Sequence, residues 1–311
     1  MTATQTRPAR PRAATKKARP SGTSRLAPYL LILPAVVILL FALGYPLYWQ
    51  IVTSMQSFGL AQQFGQPPEF VGLENYASIF GDAEIWWVIL RSLIFCVVNA
   101  ALTVLIGTLL ALLMNAVGKI IRLVLQIAML IAWAMPVVAT MTIFVWLFDW
   151  YRGVVNYLLG PDFAGHNWLQ NPLSFYGVAT IIVVWMSVPF VSFSVYAGLT
   201  QVDTAVIEAA QIDGATGSQR FFHIIMPIIR PVMMIVLLLQ LIWDLRVFTQ
   251  IRMLQDAGAT PSETDLLGTF IYRIGVGSGD FGMASAMSIF VLLLTIVLSA
   301  YYVFQLLKED N

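Results

Sequence analysis

Six apolar runs dominate this chain, at roughly 28–55, 85–115, 120–148, 175–200, 228–253 and 283–307. Each holds the ~20 residues that a helix needs to cross about 30 Å of hydrocarbon, and none alternates with the period of a strand. The pattern predicts an all-α polytopic membrane protein with six transmembrane helices. Only Gly118 and Lys119 separate the second run from the third, which predicts a tight helical hairpin. Pro34, Pro46, Pro136 and Pro189 fall inside runs and predict kinks, whose freed carbonyls neighbouring helices can satisfy. The stretch 266–275, LLGTFIYRIG, is apolar but too short to span, and reads as an interfacial or pore-capping helix.

Between the fourth and fifth runs lies a polar segment, 201–227. VDTAVIEAAQI is helix-forming, with Asp203 placed as an N-cap and Glu208, Ala209 and Ala210 in the following turns. Asp213 and Gly214 close that helix, since Gly214 can take a left-handed backbone, and Gly217 loosens the turn further. A second short helix near 218–225 carries Phe221 and Phe222. Pro227 then falls in the first turn of the next membrane helix, where its missing N–H costs nothing.

Composition agrees: 59% of residues are apolar and 11% charged, against about 25% charged in a soluble domain. Seven of the 17 Lys and Arg lie within residues 7–25, so residues 1–26 read as a disordered basic tail. Its rival reading is a nucleic-acid arm; beside a membrane helix, orientation and anionic-lipid contact are the better fit. With the N-terminus inside, the cytoplasmic side receives twelve cations and the outer side and membrane five, and ten of the 16 carboxylates fall outside. That asymmetry places 201–227 and both termini in the cytoplasm. Trp49, Trp86, Trp87, Trp146 and Trp150 cluster where the outer headgroups should lie, and Arg91 is expected to snorkel there.

The sequence lacks a phosphate-binding loop, and His166, His223 and Cys96 make no metal set or nucleophile triad, so the chain reads as non-catalytic. Cys96 reads as a packing residue. Asp244 and Arg246 lie inside the fifth run, where charge is expensive enough to mark a functional site. Two residues apart, they are poor partners for each other; Trp243 and Arg246 could stack instead. Asn99, Trp185, Gln240, Trp243, Asp244 and Arg246 are candidate liners of a polar path, because a polyol needs planar hydrogen-bonding groups and an aromatic face. A role in stapling two membrane subunits together stands beside that reading.

Residues 208–227, EAAQIDGATGSQRFFHIIMP, resemble the cytoplasmic EAA loop of carbohydrate-type permeases of bacterial ABC importers: EAA, three residues, Gly, nine residues, Ile-x-Leu-Pro, with Met226 in place of Leu. FVGLENY at 70–76 resembles that family's outer-side motif. Leu254, Gly258, Thr264, Leu267 and Tyr272 form a degraded counterpart of another, and GMASAMS at 282–288 resembles its sixth-helix entry. As a whole, the chain closely resembles permeases of the actinobacterial trehalose importer. The resemblance implies the type I ABC importer permease fold over 27–311, in a bacterial cytoplasmic membrane. It also implies a second permease, an ATPase dimer carrying ATP and Mg, an extracytoplasmic binding protein and a disaccharide substrate. Glu208 would contact the ATPase, Gly214 permit the bend, and Phe221 and Phe222 anchor in its cleft. Importers of another oligosaccharide or of glycerol phosphate remain open, as does a self-sufficient secondary transporter.

Overall fold

The computed structural model describes residues 27–309, so the basic tail at 1–26 lies outside the described residues. Residues up to Trp49 form one unit and the rest another. The first unit holds α1 (Ala27–Leu39), a π turn at Leu40–Gly44 and the first half of α2 (Tyr45–Ser54); from Tyr29 to Ser54 these make an apolar helix of spanning length.

The second unit is built on α3 (Ala83–Ala116) and α6 (Pro172–Leu199). Asp82 caps α3 by accepting from Glu84 N at 2.7 Å, and Asn171 caps α6 by accepting from Leu173 N at 2.8 Å, with Pro172 following. The 34 residues of α3 extend about 51 Å, well beyond the hydrocarbon. The two helices meet closely at Gly107, where a Cβ would sit 2.6 Å from Val191 Cγ1. Around this pair three apolar clusters form, centred on Phe175 and Ile182, on Val88 and Met287, and on Val191 and Ile229.

The third apolar run departs from expectation. It is two helices, α4 (Lys119–Ala134) and α5 (Val137–Leu147), meeting at 98° across Met135 and Pro136. Met135 takes extended backbone, as a residue before proline prefers, and α5 restarts after Pro136 as its N-cap. Five described helices are therefore long enough to span, or six with the bent pair counted as one. The hairpin ahead of it is tight, as expected. Arg122 donates to the carbonyls of Met114 (2.7 Å) and Val117 (3.1 Å), capping the end of α3, and lies over the Tyr196 ring.

The polar segment holds α7 (Thr204–Ile212) and α8 (Gly217–Arg220). The fifth run splits at residues 246–248 into α9 (Met226–Leu245) and α10 (Thr249–Asp256). The 266–275 stretch forms α11 (Leu267–Tyr272) and the π turn Arg273–Gly277. It is packed into the body of the protein: Leu266, Leu267, Thr269 and Phe270 are buried, and Leu267 N donates to Ser92 Oγ of α3 at 2.8 Å. The last helix is α12 (Phe281–Glu309).

One addition to the all-helical expectation is a two-stranded ribbon pairing Gln56 with Phe70 and Ser57 with Glu69. It accounts for FVGLENY. Gly72 turns the chain at φ +63°, Asn75 Nδ2 donates to the carbonyls of Ser54 and Gln56, and the Tyr76 and Ser54 hydroxyls share a hydrogen bond at 2.8 Å. Gly282 lies against the same ribbon, where a Cβ would come 2.3 Å from the Gln56 carbonyl.

Arg91 has partners within the chain. It donates to the carbonyls of Trp87, Ser262 and Glu263, tying α3 to the loop before α11. Nearby, Arg273 bridges Glu84 and buried Asp265, each at 2.6 Å, while Gln255 Nε2 donates to Asp265 at 3.0 Å. Partial burial works to lower the Arg273 pKa, and the hydrogen bonds to Glu84 and Asp265 more than offset it, leaving it raised.

Substitutions at the helix contact and at the ion pair test this framework. Gly107→Val should lower the thermal midpoint of the detergent-purified protein by overpacking, at a cost of ~1–3 kcal/mol. Gly177→Ala on α6, where a Cβ meets nothing within 4 Å, should be neutral or slightly stabilising. Arg273→Ala strands the Asp265 carboxylate and should cost about 3–5 kcal/mol, part of which Asp265→Asn in the same chain should restore. Equal midpoints for the single and double variants would show that the bridge contributes nothing.

Candidate functional site

Two places bring polar chemistry together, the 201–227 segment and a buried cluster on α9. In the segment, Asp203 Oδ1 accepts from Ala205 N at 2.9 Å, the expected N-cap. The end of α7 is a double closure: Ala215 N donates to the Ala210 carbonyl at 2.9 Å, and Gly214 N to the Gln211 carbonyl at 3.1 Å. This 6→1 and 5→2 pair needs a left-handed residue, and Gly214 supplies it at φ +80°. Asp213 is the last residue before the reversal. Gly217 does not loosen the turn. It opens α8 behind a capping box the sequence reading missed, in which Thr216 N donates to Gln219 Oε1 at 2.8 Å and Gln219 N to Thr216 Oγ1 at 3.4 Å. The T-x-x-Q spacing was its signal.

What the segment shows to solvent is mixed. Glu208, Ala209 and Asp213 are exposed, with Ala210 half-buried; Ile212 is 87% and Phe222 63% exposed. Phe221, half-buried, meets Phe222 edge-to-face with centroids 5.0 Å apart. Asp213, Gly214, Ala215, Gln219 and His223 border an open notch of about 410 Å³. Apolar side chains this exposed beside carboxylates suit a protein contact better than bulk water. Ile207 and Ile225 turn inward and pack on the cluster around Val191 and Ile229.

Pro227 differs from its expected setting. It does not start a free helix, because α8 continues through a π turn, Phe221–Ile225, directly into α9. In an uninterrupted α-helix the proline ring would strike the carbonyl four residues back and forfeit a hydrogen bond. The widened turn just ahead of it accommodates both defects. From Gly217 a helical stretch of 40 residues reaches Asp256, with an irregularity at 246–248.

The second place lies along α9. Gln240 is 0% and Asp244 3% exposed, and Gln240 Nε2 donates to Asp244 Oδ1 at 2.9 Å. Gln240 Oε1 and Asp244 Oδ2 are buried without a hydrogen-bond partner. Between them in sequence, the Leu241 carbonyl accepts from Cys96 Sγ of α3 at 3.3 Å, so Cys96 does more than pack. One turn on from Cys96, fully buried Asn99 donates to the Phe95 carbonyl at 2.7 Å and to Thr180 Oγ1 at 3.4 Å, and its Oδ1 too has no partner.

The other path candidates fall elsewhere. Arg246 is exposed and is the C-cap of α9, where a cation offsets the helix dipole. Trp243 does not stack on it; the indole meets Phe190 edge-to-face at 5.0 Å. Trp185 packs on Phe144 and lines an apolar groove of about 540 Å³ with Leu102, Ile106, Met129 and Thr180. Asp244 is enclosed by its own chain, so the subunit-staple reading does not describe it.

Residues 103–306 match the family described as the binding-protein-dependent transport system inner membrane component. The permease protein of the diacetylchitobiose uptake system of Streptomyces coelicolor is 36% identical over 94% of this chain and 90% of its own length. The trehalose/maltose transport permease of Thermococcus litoralis is 31% identical over 88% of this chain and 91% of its own. A permease in the crystal structure of a bacterial ABC transporter that imports the acidic polysaccharide alginate superposes with a TM-score of 0.72 at 25% identity, over 91% of this chain and 96% of that one. With a family match over most of its length and relatives above 30% identity end to end, the chain belongs to the inner membrane components of binding-protein-dependent transport systems, the permeases of ABC importers.

Proposed function

We propose that this chain is one of two permease subunits of an ATP-driven importer of a disaccharide, with trehalose the first candidate. The observation that carries the reading is the helical continuity from the exposed 201–227 segment to buried Gln240 and Asp244. A partner gripping the segment holds the helix on which the polar cluster sits. With both termini cytoplasmic, α7 and α8 lie where an ATPase dimer can reach them; ATP and Mg belong to that dimer. Glu208 offers a charge-assisted contact, Ala209 and Ala210 leave room for close approach, Asp213 and Gly214 set the reversal, and Phe221 and Phe222 anchor in the partner's cleft. Pro227 marks where the motion enters the membrane. Closure of the ATPases draws the segments of the two permeases together and rocks the helices, and the sugar passes from the external binding protein to the cluster.

Trehalose rests on whole-chain similarity and on the printed name of the Thermococcus relative; diacetylchitobiose, from the Streptomyces relative, is the second candidate. Copurification of the chain with its second permease and ATPase subunits, followed by ATPase assays with the binding protein and each of trehalose, maltose, diacetylchitobiose and glycerol 3-phosphate, tests class and substrate together. Stimulation by trehalose is expected. Stimulation by glycerol 3-phosphate alone would overturn the disaccharide reading, and a chain that takes up sugar without the ATPases would be a secondary transporter.

The segment has its own test. Gly214→Asp forces a side chain into left-handed backbone, at about 1–2 kcal/mol, and Glu208→Ala removes a contact of about 1.5–3 kcal/mol. Both variants should reach the membrane at wild-type levels while sugar-stimulated ATPase and uptake fall ~10-fold or more. Wild-type uptake at matched expression in both would remove the segment from the coupling path.

A further inference from the structure

Resting on the saccharide reading, we infer that the Gln240–Asp244–Asn99 cluster is a charge filter that admits neutral or amine-bearing saccharides and rejects anionic ones. The argument lies in which atoms are engaged. Asn99 Nδ2 is held by the Phe95 carbonyl and by Thr180, Gln240 Nε2 is held by Asp244, and the Cys96 thiol is held by the Leu241 carbonyl. The three atoms left without partners at the same sites are Asn99 Oδ1, Gln240 Oε1 and Asp244 Oδ2, all acceptors. The amides cannot exchange their ends, because the Phe95 carbonyl only accepts and so fixes the Asn99 nitrogen, and the Asp244 carboxylate fixes that of Gln240.

A buried acceptor without a donor costs roughly the desolvation of that group, so this cluster is completed by a ligand that brings donors. Sugar hydroxyls, and the N–H groups of an amino or acetamido sugar, do so. A phosphate, sulfonate or carboxylate brings more acceptors and a negative charge against Asp244 in a poorly screened interior. A protonated Asp244 would bring one donor of its own, and Asn99, held by the Phe95 carbonyl, would still present its oxygen. Thr103, one turn beyond Asn99, has a buried hydroxyl without a partner that can serve either way. The inference sets this chain apart in charge class from its structural relative for acidic alginate, whatever their shared fold.

The test uses the detergent-purified complex of both permeases and the ATPases, without the binding protein, whose own selectivity would mask that of the membrane site. Equilibrium binding is read for three neutral probes (trehalose, maltose, diacetylchitobiose), for the diamine chitobiose, and for two anions, trehalose 6-phosphate and maltobionate. In the wild type each anion should bind at least ~10-fold more weakly than its neutral counterpart. Asp244→Asn should narrow that ratio to within about 3-fold, whereas Gln240→Leu should weaken the neutral probes about 10-fold and leave the ratio in place. Anions binding as well as neutral sugars to the wild type overturns the filter, with no variant required. A ratio unmoved by Asp244→Asn, in complexes that assemble and hydrolyse ATP, overturns the role of Asp244. If no probe binds and none stimulates the ATPase, it is the saccharide reading that falls, and the filter with it.

Discussion

The close approach of α3 to α6 at Gly107 is the constraint on which the rest depends. In hydrocarbon, lipid tails solvate an apolar helix as well as another helix does, so association must come from shape. A glycine facing a β-branched side chain provides it: Val191 occupies the space a Cβ would take. With those helices fixed, α9 has a surface to lie on, through Ile229 near its start, Val236 at its middle and Leu245 at its last residue. The polar cluster is therefore carried on helices whose packing is set at this contact, and its unpaired oxygens are buried among them.

The exposed segment is rigid for local reasons. Each of its turns is closed by a cap, from the Asp203 carboxylate through the glycine reversal to the Thr216–Gln219 box. Ile207 and Ile225 fasten it to the body, while Glu208, Ile212 and Phe222 stay free.

How legible all this was depended on the range of the interaction. Asp203, Gly214 and the spans of α3, α6 and α12 could be read because caps and hydropathy are local. Pro136 could be read as a defect, but not the 98° to which it led, since the angle depends on what α4 and α5 find to pack against. Arg91 and Arg273 were opaque for a plainer reason: their partners lie 171 to 189 residues away in sequence. Asp244 stands out in the sequence by its charge, and the structure buries it against Gln240. Arg246, equally charged, proved to be a helix cap, and Trp185 faces an apolar groove, because sequence spacing says nothing of which side of a helix other helices will cover. The ribbon under FVGLENY was too short to leave a period.

The π turn ahead of Pro227 has a bearing on how such a protein can change over generations. A turn of that kind contains one more residue than the helix around it requires, so it sets the rotational phase between the gripped end and the membrane end. Losing one residue there would turn α9 by about 100° relative to α8 while shortening it by only ~1.5 Å. The chain can thus present a different stripe of α9 to the interior without altering the exposed face of α7 and α8.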